Sequence, residues 1–118
     1  MTKSNLSAIQ KAQSHFKTRL SNELKKYHVA EWDLDVYYRD LSSLRIESKI
    51  VELAQQGKSV EALVQTIISK SLDAEGNLLF SQYDKDTLMN ECDPSVVVNL
   101  SRVLSGGDLP TVEEVEKN

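Results

Sequence analysis

Few residues in this 118-residue chain are of types that make or break bonds, and their spacing fits no reaction. His15, His28 and Cys92 are the only histidines and cysteine, whereas a zinc site announces itself through close pairs such as C-x-x-C or H-x-x-x-H. No such pair is present, so no metal is expected. Cys92 as a nucleophile would need its thiolate held by a neighbouring base or a helix N-terminus. It does precede the helix start Asp93-Pro94, yet Glu91 and Asp93 flank it and oppose a second negative charge, so a half-buried thiol is expected. Asp73-Ala74-Glu75-Gly76-Asn77 invites comparison with a calcium loop. Its glycine stands fourth instead of sixth, and Leu78, Leu79 and Phe80 occupy places where oxygen ligands are wanted, which leaves a turn. The carboxylate pairs Asp33/Asp35 and Asp84/Asp86 would suit an acid and a base, but they fall in turns and caps where acids occur anyway. Gly106-Gly107 follows a helix and cannot aim helix amides at a phosphate. No catalytic residue, cofactor or enzymatic activity is expected.

What remains is contact chemistry. Trp32, next to a segment containing Tyr37 and Tyr38, offers the large rigid area typical of interface hot spots, although the same indole would also serve to pin a hairpin onto helices. The elements that position it follow from hydrophobic period. Ser4 suits an N-cap for a helix over about 5–15, with Leu6, Ile9, Ala12 and Phe16 at loose helical spacing. Residues 24–29 and 36–41 are rich in aromatic and β-branched types around Asp33-Leu34-Asp35, which predicts a hairpin at about 23–41 with its turn at those three residues. Strand alternation then separates Val36 and Tyr38 from Tyr37, Arg39 and Leu41.

Three further helices have clearer punctuation. Ser42 or Ser43 caps one that runs to about Gln56, with Ile46, Ile50 and Leu53 on one stripe, Leu44, Val51 and Ala54 beside it, and Gly57 as the stop. Ser59 opens the next, over about 59–71, where Val60, Leu63, Val64, Ile67 and Ile68 give an unbroken helical series. Gly76-Asn77 makes a turn, 78–80 an extended piece, and 84–91 a short helix burying Leu88. Asp93-Pro94 pairs a capping acid with proline at the first helical position, and Val96, Val97, Leu100, Val103 and Leu104 supply the buried side. The fold class expected is mainly α with a minor α+β component: a compact bundle of four to five short helices and one hairpin in the N-terminal third. Residues 1–105 form one domain in this reading, and 106–118 an acidic, mobile tail with the spaced aliphatics Leu109, Val112 and Val115.

Composition narrows the partners. No apolar run approaches the roughly 20 residues that cross a bilayer, and the start of the chain lacks a secretory pattern, so a cytoplasmic protein is expected. One cysteine cannot form an internal disulfide, in keeping with a reducing compartment. Residues 1–50 carry nine Lys/Arg against six Asp/Glu, and 51–118 carry five against twelve. That acidic half argues against wrapping nucleic acid. Apolar helix stripes with Trp32 point to a protein partner or a neighbouring copy.

In the order of its motifs the chain resembles the tail assembly chaperones of long-tailed, siphovirus-type phages. The resemblance rests on an amphipathic start, Val29-Ala30-Glu31-Trp32 leading into Val36-Tyr37-Tyr38-Arg39-Asp40-Leu41-Ser42, the acid-Gly-Asn turn ending in Phe80, the 84–88 stretch, the Pro94 helix and a Thr111-Val112-Glu113-Glu114-Val115-Glu116-Lys117-Asn118 ending. It implies a non-enzymatic protein of the host cytoplasm, absent from the mature virion. Such a protein coats the long helical tape measure protein and, through a longer frameshifted product, brings tail tube protein to it. Glu116-Lys117-Asn118 is encoded by purine-rich codons that permit a slippery run of adenines, which agrees with a programmed frameshift. Candidate contact residues are Trp32, Tyr37, Arg39, Leu63, Ile67, Leu109, Val112 and Val115, with self-association expected. The alternative is a small helical adaptor or regulatory protein that uses the same stripes.

Overall fold

The computed structural model describes residues 7–20 and 24–106; Ser4 and the tail from residue 107 onward lie outside them. Among the described residues the order is α1 (Ala8–Leu20), β1 (Lys25–Val29), a 3-10 turn (Ala30–Trp32), β2 (Leu34–Tyr38), α2 (Leu44–Gln55), α3 (Ser59–Lys70), a second 3-10 turn (Gln82–Asp84), α4 (Lys85–Asn90) and α5 (Pro94–Leu104). The expected class, mainly α with one antiparallel hairpin, is what folds.

α3 is the centre. α2, α4 and α5 pack on it, and α5 also meets β1. Val64, Ile67 and Ile68 of α3 join Val96, Val97, Leu100 and Leu104 of α5, Leu88 of α4, and Val29 and Val36 of the hairpin in one core. Each large aliphatic taken fully out of water contributes roughly 1.5–3 kcal/mol, so this cluster holds most of the stability. Ser101 fastens α5 to α3 by donating its Oγ hydrogen to the Leu63 carbonyl at 2.9 Å.

The helix boundaries follow from local chemistry. Ser43 accepts from the Ile46 amide at the start of α2. At the other end Gly57, at φ 79°, takes the left-handed position, with the Gly57 amide bonded to the Ala54 carbonyl and the Lys58 amide to that of Leu53. Those two bonds make a Schellman stop. Asp93 caps α5 by accepting from the Ser95 amide at 3.0 Å, with Pro94 at the first helical position as expected.

Two expectations need correction. The first helix, expected to end near residue 15, runs from Ala8 to Leu20, and Ser7 and Gln10 form a reciprocal cap at its start: the Gln10 amide donates to Ser7 Oγ, and the Ser7 amide to Gln10 Oε1; the expected start at residue 5 lies outside the described residues. The hairpin turn is also displaced. Leu34 and Asp35 belong to β2, paired with Val29 and His28, and the chain reverses through Ala30–Trp32 and Asp33, which adopts φ 47°. Aspartate tolerates that left-handed geometry better than most residues. The shift leaves Val36 facing Tyr27 in the register and fully buried. One pairing had no sequence signal: Leu72 exchanges both backbone hydrogen bonds with Tyr37 at 2.8 Å and bridges Leu78 on its other side, so the outer edge of β2 is covered.

Candidate partner-binding surface

The acids weighed as ligands or catalytic groups hold turns and pairs together. Asp73 Oδ1 accepts from the amides of Glu75 and Asn77, each at 2.9 Å, and Gly76 sits at φ 86°, which makes 73–77 a closed turn. Asp84 caps its own turn by accepting from the Ser81 amide at 2.8 Å. Asp35 pairs with His28 at 2.7 Å on the exposed face of the hairpin. Cys92 is half-buried and lines an apolar cavity of about 280 Å³ with Trp32, Leu34, Phe80 and Leu88. Among the described residues no cluster of three or more His, Cys, Asp or Glu could hold a metal, and no helix is long and apolar enough to cross a membrane.

A polar cleft of about 360 Å³ lies between β2, the start of α2 and the end of α5. Each of its carboxylates is paired with a lysine. Lys25 meets Asp40 at 2.7 Å, and this hydrogen bond, with the attraction of the Asp40 charge, holds the Lys25 ammonium above its ordinary range. Lys70 meets Glu47 at 2.8 Å, and Ser42 donates to the same Glu47 oxygen. Partial burial pushes the Glu47 carboxyl up, but the bonds from Lys70 and Ser42 and the Lys70 charge outweigh it, so the group lies below the usual carboxylate range.

Among the described residues, those singled out from sequence do not line one pocket together. Trp32 is half-buried beside Phe80 and Leu88. Tyr37 is half-buried, with its backbone committed to Leu72. Arg39 donates from Nη1 to the Leu20 carbonyl at 3.0 Å, which caps the end of α1, and its other terminal nitrogen lies so near Gly76 that a Cβ there would stand 3.1 Å away. Leu63 lines a cavity of about 100 Å³ with Val60, Met89 and Cys92. Ile67 is wholly inside the core. Leu109, Val112 and Val115 lie outside the described residues.

The apolar surface left to solvent lies elsewhere. α2 buries no residue, and its Leu44 (81% exposed) and Val51 (50%) are seven apart, on one line along the helix. At 100° per residue that line is about 140° round from Ile46, Ile50 and Leu53, so α2 carries two apolar stripes instead of one broad stripe. On the other side of α2 runs an open groove of about 700 Å³, floored by Ile46 and Ile68 and walled by Leu78, Leu79 and Phe80. Arg45 and Lys49 stand on its α2 rim, and Leu78 is 61% exposed. The signal for this surface was present in the excess of aliphatics on residues 43–56; nothing in the sequence marked Leu78 as a groove wall.

No family model matches the chain, and no curated protein does. Among solved structures its fold is similar to that of the tail assembly chaperone of bacteriophage HK97, with a TM-score of 0.59 and 17% identity over 79% of this chain and 96% of that one. At such low identity the likeness concerns architecture, and the chain shares its fold with a phage tail assembly chaperone.

Proposed function

We propose that the chain is a tail assembly chaperone of a long-tailed phage, one that binds and solubilises the tape measure protein and helps recruit tail tube subunits during assembly. The observation that carries the reading is the open apolar groove between α2, α3 and residues 78–80. Its apolar lining, drawn from one turn each of α2 and α3 and from residues 78–80, suits a short stretch of an amphipathic helix laid apolar side down, a recognition mode that needs no pocket or catalytic group. Arg45 and Lys49 on the rim favour a helix with acidic flanks. Trp32 and Leu63 supply smaller apolar recesses nearby in the fold, and the outward Leu44 and Val51 ridge is where a neighbouring copy would sit. The fold likeness supports the same class of function.

The remainder of the proposal comes from the resemblance: action in the host cytoplasm, absence from the virion, and a frameshifted longer product that brings tail tube protein. Reading the gene's last codons and the overlapping frame checks that product; an interrupted adenine run or a closed frame removes it. The binding function is tested by co-expression with the long helical protein encoded nearby. That protein should be soluble only in the presence of this chain. Solubility independent of it, or capture of a host regulatory protein in its place, would favour the adaptor reading.

A further inference from the structure

A second groove, of about 290 Å³, lies between the last turn of α1 and the start of α2, with Phe16, Leu20, Leu41, Ile46 and Leu72 giving it an apolar lining. Its cations are Arg39 and Lys70, the latter already paired with Glu47. α1 beside it carries Lys11, Lys17 and Arg19 and no carboxylate, and it buries no residue. The described chain ends at Gly106 inside the polar cleft, and that cleft shares Arg39, Leu41, Ser42 and Lys70 with this groove. Gly106 therefore stands in the cleft that adjoins the groove.

Their composition complements it. They hold four carboxylates, Asp108, Glu113, Glu114 and Glu116, against one lysine, with Leu109, Val112 and Val115 at three-residue spacing. Leu109 is three residues past Gly106 and reaches at most about 10 Å from it; Val112 reaches about 20 Å. We infer that residues 107–118 fold back on their own chain, with Leu109 and Val112 in the groove between α1 and α2 and the glutamates beside Lys17 and Arg19, which flank Phe16 and Leu20 on α1. The first surface these tail aliphatics meet is then intramolecular. This docking does not depend on what the wider groove binds.

The test uses the full chain and its backbone amide resonances. Leu109→Asp/Val112→Asp should shift the amides of Phe16, Leu20, Leu41, Ile46 and Leu72 and leave those of Trp32, Leu88 and Cys92 in place. The difference should persist unchanged over a hundredfold dilution. Because the core is built from residues between Val29 and Leu104, the variant should remain folded, which its unmoved Trp32, Leu88 and Cys92 amides check. Unmoved resonances at those five positions would overturn the inference. So would a difference that disappears on dilution, which would assign the groove to the tail of a neighbouring copy.

Discussion

α2 and α3 are consecutive twelve-residue helices, each with aliphatics at helical spacing, and they meet opposite fates. α3 buries Ala62, Val64, Gln65, Thr66, Ile67 and Ile68, more than one face of the helix, whereas α2 buries nothing. The polar members of α3 are provided for: Thr66 Oγ1 donates to the Ala62 carbonyl at 3.0 Å, and Gln65 donates to Ser69 and accepts from Gln82. Buried polar groups with partners are a property of an interior helix. α2 lies at the edge with aliphatics on two sides. A helical period shows that a segment is a helix with greasy stripes; it does not show whether the stripe is covered by the same chain or by another.

The contrast can be broken at four points, in falling order of effect on stability. Ile67→Ala removes a wholly buried side chain and is expected to cost about 3 kcal/mol in urea unfolding, within the usual range for such truncations. Gly57→Ala acts on the link between the two helices. A Cβ there meets nothing within 4 Å, but φ 79° strains any L side chain, so a loss of about 1 kcal/mol is expected from backbone alone. Glu47→Gln breaks the ion pair that ties α2 to α3. Lys70 is mostly buried but Glu47 is half-exposed, so the expected loss at neutral pH is at most about 1 kcal/mol. The Glu47 carboxyl is held lower in the folded protein than in the unfolded chain, so its contribution is present above the ordinary carboxylate value of 4.5 and fades as pH falls through the folded value. Melting temperatures of the parent and Glu47→Gln should therefore converge in acid. Smallest of all, Leu44→Asp/Val51→Asp should change stability by less than about 0.5 kcal/mol while lowering any self-association seen by sedimentation.

Much of the scaffold was legible because local chemistry decided it. Gly57 in its left-handed position, the Asp93-Pro94 start and the turn at 73–77 all act within five residues of themselves, and each is where the sequence puts it. The hairpin was legible as a pair of strands but not in its reversal, since Asp33 alone takes positive φ and Trp32 closes a helical turn that no dipeptide rule describes. Arg39 shows the deeper difficulty. Exposed by strand alternation alone, it is instead recruited to the Leu20 carbonyl nineteen residues away, a contact visible only after folding. For the same reason Ile67 reads as a contact candidate until three helices enclose α3.

The central claim is that α3 holds the monomer while the groove beside α2 receives another polypeptide. Leu78→Asp tests it most directly, because Leu78 walls that groove and is mostly exposed, outside the core. In co-expression with the long helical partner, this variant should melt within a few degrees of the parent and leave the partner in the pellet. A partner that stays soluble with the folded variant would contradict the account.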